Sequence, residues 1–227
     1  MNRLQRVIVV DDNRSYAEGV CFDLQDADLP ALVLDPLPAT LDAAVEKIIA
    51  EGWAAVCDHR LSNRSSVDYW GAELAARLIR RQLPAVLITE YSDSDMATTI
   101  RRQRHSLPVV LKRDEVAFDR LKLAIDTCIL EIQGRPLPSR IAGRALLKVE
   151  DRDEMSGEAV LQVRIPGWNP RHIVPLPLDM LPESLRVSAQ PGAWFTVRTN
   201  TGAESADELF FDEFNLALEP DPEDGLA

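Results

Sequence analysis

The strongest constraint on this chain is a repeated alternation, across residues 7–133, of short β-branched runs with longer stretches of helical period. The runs are Val7-Ile8-Val9-Val10, Ala31–Leu34, Trp53–Cys57, Ala85–Ile88 and Leu107–Leu111. Continuous apolar runs of this length suit strands covered on both faces, as in a parallel sheet. Between them lie segments of helical length at 15–28, 40–51, 69–82, 94–104 and 114–133. In the last, Phe118, Leu121, Ile125, Cys128, Ile129 and Ile132 recur at a 3–4 spacing and predict one buried stripe. Asp114 and Glu115 read as its cap and favourable first turn. Five such units predict a doubly wound α/β domain built on a five-stranded parallel sheet, residues 1–133.

The pattern then changes. Gly134, Pro136 and Pro138 mark a linker over 134–139. Beyond it, short strand-like stretches run at Ala145–Val149, Ala159–Ile165, His172–Leu176, Trp194–Arg198 and Leu209–Leu218, punctuated by Pro-Gly and Asn-Pro turns. They predict a small, mainly-β domain over 140–218, in the style of a five-stranded barrel or sandwich. Pro177 and Pro182 keep the stretch around them out of a central strand. Residues 219–227 form an acidic tail.

Charge and cysteine usage exclude several classes. The 227 residues carry a net charge of -12, and residues 136–227 hold 8 basic against 16 acidic side chains. Phosphate backbones need clustered Lys and Arg, so the second domain is not expected to bind nucleic acid. Trp168, Trp194 and Phe195 accordingly read as core aromatics rather than base-stacking platforms. Cys21, Cys57 and Cys128 are scattered and form no C-x-x-C pair, which excludes a disulfide framework or a thiolate zinc site. No apolar run reaches the roughly 20 residues of a membrane span, and the opening segment turns polar at Asp11, too soon for a secretory leader. A cytoplasmic protein is the expectation.

Ligand sites in open α/β sheets lie beyond the carboxyl ends of the strands. There the first strand ends in Asp11-Asp12, the third in Asp58, the fourth in Thr89 and the fifth in Lys112. Carboxylates about 5 Å apart repel by roughly 3 kcal/mol per pair at an effective dielectric near 20, so the cluster needs a cation. Hard oxygen ligands at a partly open site suit Mg²⁺, with Lys112 as a second positive charge and Thr89 able to hydrogen-bond an added phosphoryl oxygen. The chemistry this permits is attack by one carboxylate on phosphorus while cations neutralise the oxygens.

The set Val-Ile-Val-Val-Asp-Asp-Asn, Val-Cys-Asp-His-Arg-Leu, Val-Leu-Ile-Thr-Glu-Tyr and Val-Val-Leu-Lys resembles the receiver domain of bacterial two-component response regulators, a flavodoxin-like fold. The motifs fall in order, each at a strand end, with gaps of 46, 31 and 23 residues from Asp12 to Asp58, Thr89 and Lys112. The resemblance implies Asp58 as phospho-acceptor, and Asp11, Asp12, Asp58 and the backbone carbonyl of Arg60 as Mg²⁺ ligands. It also implies Thr89 as the group that senses the phosphoryl and Lys112 as its ion partner. A sensor histidine kinase would be the donor. On this reading the chain is not an enzyme beyond Mg²⁺-dependent phosphorylation and dephosphorylation of itself. Its output would be contact with another protein, of a kind the second domain does not identify.

Departures from the receiver pattern leave a second reading, a pseudo-receiver that binds partners without being phosphorylated. Arg113 stands where proline usually follows the lysine, and Val109 stands where an aromatic residue usually moves with the threonine. Tyr91 is near enough in sequence to substitute for that aromatic. Ser62–Ser66 lengthens the loop after Asp58 and places Gly71 late. His59 reads as a surface or loop histidine. Arg101, Arg102 and Arg104 on one helical segment face a charge pattern of Glu115, Asp119, Asp126 and Glu131 on the next. That complementarity predicts a weak, salt-sensitive homodimer.

Overall fold

A computed structural model describes residues 6–62, 66–90 and 93–219. Tyr91, the middle of the loop after Asp58 (63–65) and the acidic tail from Pro220 lie outside the described residues. The chain divides into two compact units, Met1–Tyr91 with Ser106–Pro136, and Ser92–His105 with Leu137–Ala227.

The first unit is a five-stranded parallel sheet: β1 (Val7–Val10), β2 (Ala31–Val33), β3 (Ala54–Asp58), β4 (Ala85–Thr89) and β5 (Val110–Lys112). The order is β2-β1-β3-β4-β5, the flavodoxin-like arrangement, with every pairing parallel. All the residues of β1, β3 and β4 are buried, as uninterrupted apolar runs require. Helices α1 (Arg14–Asp26), α2 (Leu41–Glu51), α3 (Gly71–Arg80) and α4 (Phe118–Ile132) complete the unit. Each buries an i, i+3, i+4 stripe; in α1 it is Ala17, Val20, Cys21 and Leu24. The three cysteines are free and buried.

The end of β5 differs from expectation. Asp114 and Glu115 do not cap the following helix but lie in a 3₁₀ turn, Arg113–Glu115. The Lys112 N–H donates to Glu115 Oε2 at 3.0 Å, so the chain turns as soon as the strand ends. Val116 is extended, and α4 starts only at Phe118. Phe118 itself is 51% exposed, outside the stripe formed by Leu121, Ala124, Ile125 and Cys128.

The second unit is a five-stranded antiparallel sheet in the order β10-β9-β6-β7-β8. Its strands are β6 (Gly143–Met155), β7 (Glu158–Ile165), β8 (Asn169–Pro177), β9 (Trp194–Thr199) and β10 (Phe211–Ala217). The order leaves two edges, so this is one open sheet and neither the expected barrel nor a sandwich. One face carries the core, with Leu147, Val149, Leu161, Val163, Val174, Leu176, Phe195, Val197 and Phe211 all buried. Trp168 is half-buried, packs against this core and donates Nε1–H to the Ala203 carbonyl at 2.7 Å. β8 holds Pro170, Pro175 and Pro177 and is an edge strand, where a missing N–H costs no ladder bond.

The main surprise is the stretch expected as the fourth helix of the first domain. It consists of short α-helical turns, Asp93–Asp95 and Arg101–Gln103, around a π-helical stretch, Met96–Ile100, and ends in a 3₁₀ turn, Arg104–Ser106. The Thr98 and Thr99 hydroxyls donate to the carbonyls of Ser94 and Asp95 at 2.6 and 3.4 Å, engaging acceptors that an α-helical ladder would use. Residues 92–105 belong with the β unit, not with the sheet they follow in sequence.

Arginines fix that assignment. Arg101 is 1% exposed, with Nη1 donating to the carbonyls of Ala206 and Leu209 at 2.8 and 2.6 Å. Arg102 Nε reaches both carboxylate oxygens of Asp179 at 3.0 Å, and its Nη2 donates to Glu158. Arg104 Nε donates to the Asp207 carbonyl at 3.0 Å. Arg140 returns the contact from within the expected start of the β domain, donating to the His105 carbonyl at 2.9 Å and lying over the Phe210 ring. The expected homodimer therefore loses its basis: Arg101 and Arg104 are buried, and Arg102 already has two carboxylate partners in its own chain.

Candidate functional site

Register explains why acidic groups gather at one end of the parallel sheet. Val10 lies opposite Cys57, so the residues that follow, Asp11 and Asp58, emerge side by side. Thr89 lies opposite Lys112 at the ends of β4 and β5. Ligand oxygens of Asp11, Asp12 and Asp58 all lie within 4.8 Å of one another. Asp12, Asp58, Arg60 and Thr89 line a shared pocket of about 230 Å³ with His59 and Arg113.

The two buried carboxylates are held in part by the backbone. Asp11 Oδ1 accepts the Asn13 N–H at 2.7 Å, and Asp58 Oδ2 accepts the Arg60 N–H at 2.9 Å. Asp11 is therefore not an end cap bonded inside α1, whose first helical residue is Arg14. Gly71 closes the site from behind: its N–H donates to the His59 carbonyl at 2.9 Å, and it lies flush against the Asp58 carbonyl. His59 lies in the loop just after β3, one of its two expected settings, but it is 1% exposed rather than at the surface and stacks on Trp70 with ring centroids 5.2 Å apart.

Arg113 is the residue whose role sequence reasoning missed. Its Nη2 donates to Asp58 Oδ1 at 2.5 Å and lies 3.4 Å from Asp11 Oδ2, while Nη1 meets Glu90 Oε1 at 2.8 Å. Its guanidinium lies over the Tyr16 ring at 4.0 Å. The only signal in the sequence was the absence of proline after Lys112. A guanidinium there replaces ring rigidity with a fork that bonds two carboxylates at once.

Even with that cation present, burial disfavours the charged form of both carboxylates. Burial pushes the Asp11 carboxyl up to about 6, with Asp58 adding to the shift, while the Asn13 N–H and Arg113 oppose it. Burial also raises Asp58, against Arg113 and the Arg60 N–H. Two buried carboxylates that resist ionisation beside an arginine form a donor set that fits a hard divalent ion.

This shift has a sign that can be tested. Between the unfolded value near 3.8 and the folded value near 6, the native state binds the Asp11 proton and the unfolded chain does not. The stabilisation is full below the unfolded value and is lost as pH rises through the folded one. With chelator present, wild type should gain about 1 kcal/mol relative to Asp11→Asn on going from pH 7 to pH 5. Urea titrations of both proteins at the two pH values measure it. A gap independent of pH would mean that Asp11 is ionised throughout.

No protein-family model matches the chain, and no curated protein does. Solved structures do. Many of those similar to this chain are receiver domains of response regulators. The receiver domain of NtrX from Brucella abortus shares 19% identity, with 54% of this chain and 97% of that one covered, at a TM-score of 0.42. A CheY-like response regulator receiver domain protein from Methanospirillum hungatei JF-1 shares 19% identity, covering 58% and 98%, also at 0.42. A Burkholderia pseudomallei response regulator, solved with a phosphorylated aspartic acid, a calcium ion and citrate, shares 18% identity, covering 57% and 71%, at 0.42. The likeness spans little more than half of the present chain. Among the described residues, no helix is long and apolar enough to cross a membrane.

Proposed function

We propose that this chain is a cytoplasmic signalling switch that accepts a phosphoryl group on Asp58 from a sensor histidine kinase. The observation that carries the reading is the meeting of Asp11, Asp12 and Asp58 at adjoining strand ends, with Thr89 lining the same pocket as Asp12 and Asp58. Asp11, Asp12, Asp58 and the Arg60 carbonyl would hold Mg²⁺, which when bound supplies charge neutralisation at the phosphoryl oxygens. In the transfer, an Asp58 carboxylate oxygen forms a bond to phosphorus as the bond from phosphorus to the donor's leaving atom breaks, and the leaving group keeps that electron pair. Lys112 would pair with the transferred phosphoryl, and the Thr89 hydroxyl would donate to one of its oxygens. The β unit, with 8 basic and 16 acidic residues over 136–227, would act by contact with another protein rather than with nucleic acid. The activity is confined to the protein's own phosphorylation and dephosphorylation.

A second reading, the pseudo-receiver that is never phosphorylated, draws support from one observation: Arg113 already bonds the Asp58 carboxylate. Intact mass after incubation with Mg²⁺ and millimolar acetyl phosphate separates the two. One phosphoryl adduct, absent from Asp58→Asn and absent with chelator, is the expected result. A wild-type protein that takes no adduct would favour the pseudo-receiver.

A further inference from the structure

The oxygens of the two buried carboxylates divide into two sets. Asp11 Oδ1 and Asp58 Oδ2 accept backbone N–H groups, from Asn13 and Arg60. Asp11 Oδ2 and Asp58 Oδ1, the other two, both face Nη2 of Arg113. One guanidinium nitrogen thus sits where the oxygens least engaged by the backbone converge. Mg²⁺ requires ligand oxygens at about 2.0–2.1 Å with near-octahedral directions, and a bound cation cannot share those lone pairs with a donor N–H. Its charge would also repel the guanidinium at close range.

We propose that Arg113 is a built-in competitor of the divalent cation, holding Asp11 and Asp58 in the metal-free protein and leaving them when metal binds. The proposal rests on the reading of the acidic cluster as a metal site. Arg113 has somewhere to stay. Nη1 is already paired with Glu90, which is largely exposed, and the guanidinium plane already rests on Tyr16. Release from Asp58 and Asp11 can therefore leave two of its contacts in place. Arg113 then raises the metal concentration at which the site fills, and the metal-free state is spared an unpaired pair of buried carboxylates. A lysine or proline at this position would not do the same: proline carries no charge, and an ammonium lacks the planar fork that holds Glu90 and Asp58 together.

The test is a calorimetric titration of the full chain with Mg²⁺ and, separately, with Mn²⁺ followed by water-proton relaxation. No phosphodonor is present, so the outcome is independent of whether Asp58 is ever phosphorylated. Arg113→Ala should bind both ions at least tenfold more tightly than wild type. Glu90→Gln, which loosens the guanidinium from its outer partner without touching the carboxylate cluster, should alter affinity by no more than about threefold. Circular dichroism and urea unfolding confirm that each variant is folded. Equal or weaker binding by Arg113→Ala would overturn the proposal, as would the absence of binding by both wild type and Arg113→Ala. Failure of the phosphodonor experiment alongside tighter metal binding by Arg113→Ala would leave this inference standing and remove only the switch.

Discussion

Replacing Arg101 by alanine should cost about 3–5 kcal/mol of unfolding free energy, the largest loss expected from any single substitution outside the hydrophobic cores. The guanidinium is 1% exposed, and burial alone lowers its pKa to about 10. Its partners are the carbonyls of Ala206 and Leu209 and the Phe211 ring, whose centroid lies 5.8 Å away. Truncation leaves the buried Leu209 carbonyl without this donor, at about 1–3 kcal/mol, and takes one of two donors from the part-buried Ala206 carbonyl, which keeps the Leu209 N–H, together with a cavity the length of the side chain. Arg101→Met separates these contributions. It refills most of the volume and removes a charge that is expensive to bury, so it should lose only about 1–3 kcal/mol. Urea unfolding gives both values. Hydrogen exchange adds a local readout, since amides of residues 96–104 should lose protection in Arg101→Ala more than those of β1 or β3. A loss under 1 kcal/mol with unchanged exchange would mean that the 93–105 segment is not built into the β unit.

That segment marks where sequence reasoning failed. Its length, its place between two strands and its Met96, Ala97 and Ile100 all fit a helix lying on a parallel sheet. Periodicity reports that a face will be buried, not which unit will bury it. The three arginines read as a solvated basic strip because charged side chains are seldom fully buried. What reverses this is distant partners, the carbonyls at 206–209 for Arg101 and Arg104 and the carboxylates of Asp179 and Glu158 for Arg102, and nothing local encodes them. Four of the five β strands, by contrast, follow from alternation and turn chemistry to within a few residues, while β6 runs on to Met155, six residues past the expected end at Val149. Closure of the sheet does not follow, because an open sheet and a barrel share the same alternation and differ only in pairing at the edges.

The candidate site was legible to a different degree. Asp11, Asp12, Asp58 and Thr89 could be placed because each terminates an apolar run, and in a parallel sheet all such ends lie on one side. Register then brings Asp11 and Asp58 together without further information. Arg113 could be noticed only as an exception. A long side chain can reach any of several neighbours, and its choice of Asp58, Asp11 and Glu90 depends on the 3₁₀ turn that starts at its own residue. That turn replaced the expected helix cap. His59 was misjudged for a related reason: adjacency to Asp58 says nothing about Trp70, which stacks over it from eleven residues further on.

Gly71→Ala should be the second most damaging change, destabilising the protein by about 2–4 kcal/mol and, on the proposed switch function, slowing Asp58 phosphorylation at least tenfold. An added Cβ would lie 1.7 Å from the Asp58 carbonyl oxygen, 2.7 Å from its carbonyl carbon and 3.1 Å from the His59 Cα. All three are backbone atoms at the buried end of β3 and the residue after it, so no side-chain rotation relieves the overlap. Either the start of α3 must lift away, breaking the Gly71 N–H bond to the His59 carbonyl, or the end of β3 must shift. The second movement carries the Asp58 carboxylate with it, away from the Arg60 N–H and from Asp11. The long loop after Asp58 made this glycine look displaced in sequence, yet its position follows from contact: wherever the loop returns, the residue meeting the Asp58 carbonyl must lack a Cβ. Gly19→Ala is the matched control, because a Cβ at that α1 position meets nothing within 4 Å and φ there is not positive. It should stabilise by roughly 0.5–1 kcal/mol through helix propensity and a less flexible unfolded chain. Urea midpoints of the two variants should therefore move in opposite directions. If Gly71→Ala unfolds with wild-type stability and accepts phosphate at the wild-type rate, the tight seat behind Asp58 does not exist in solution.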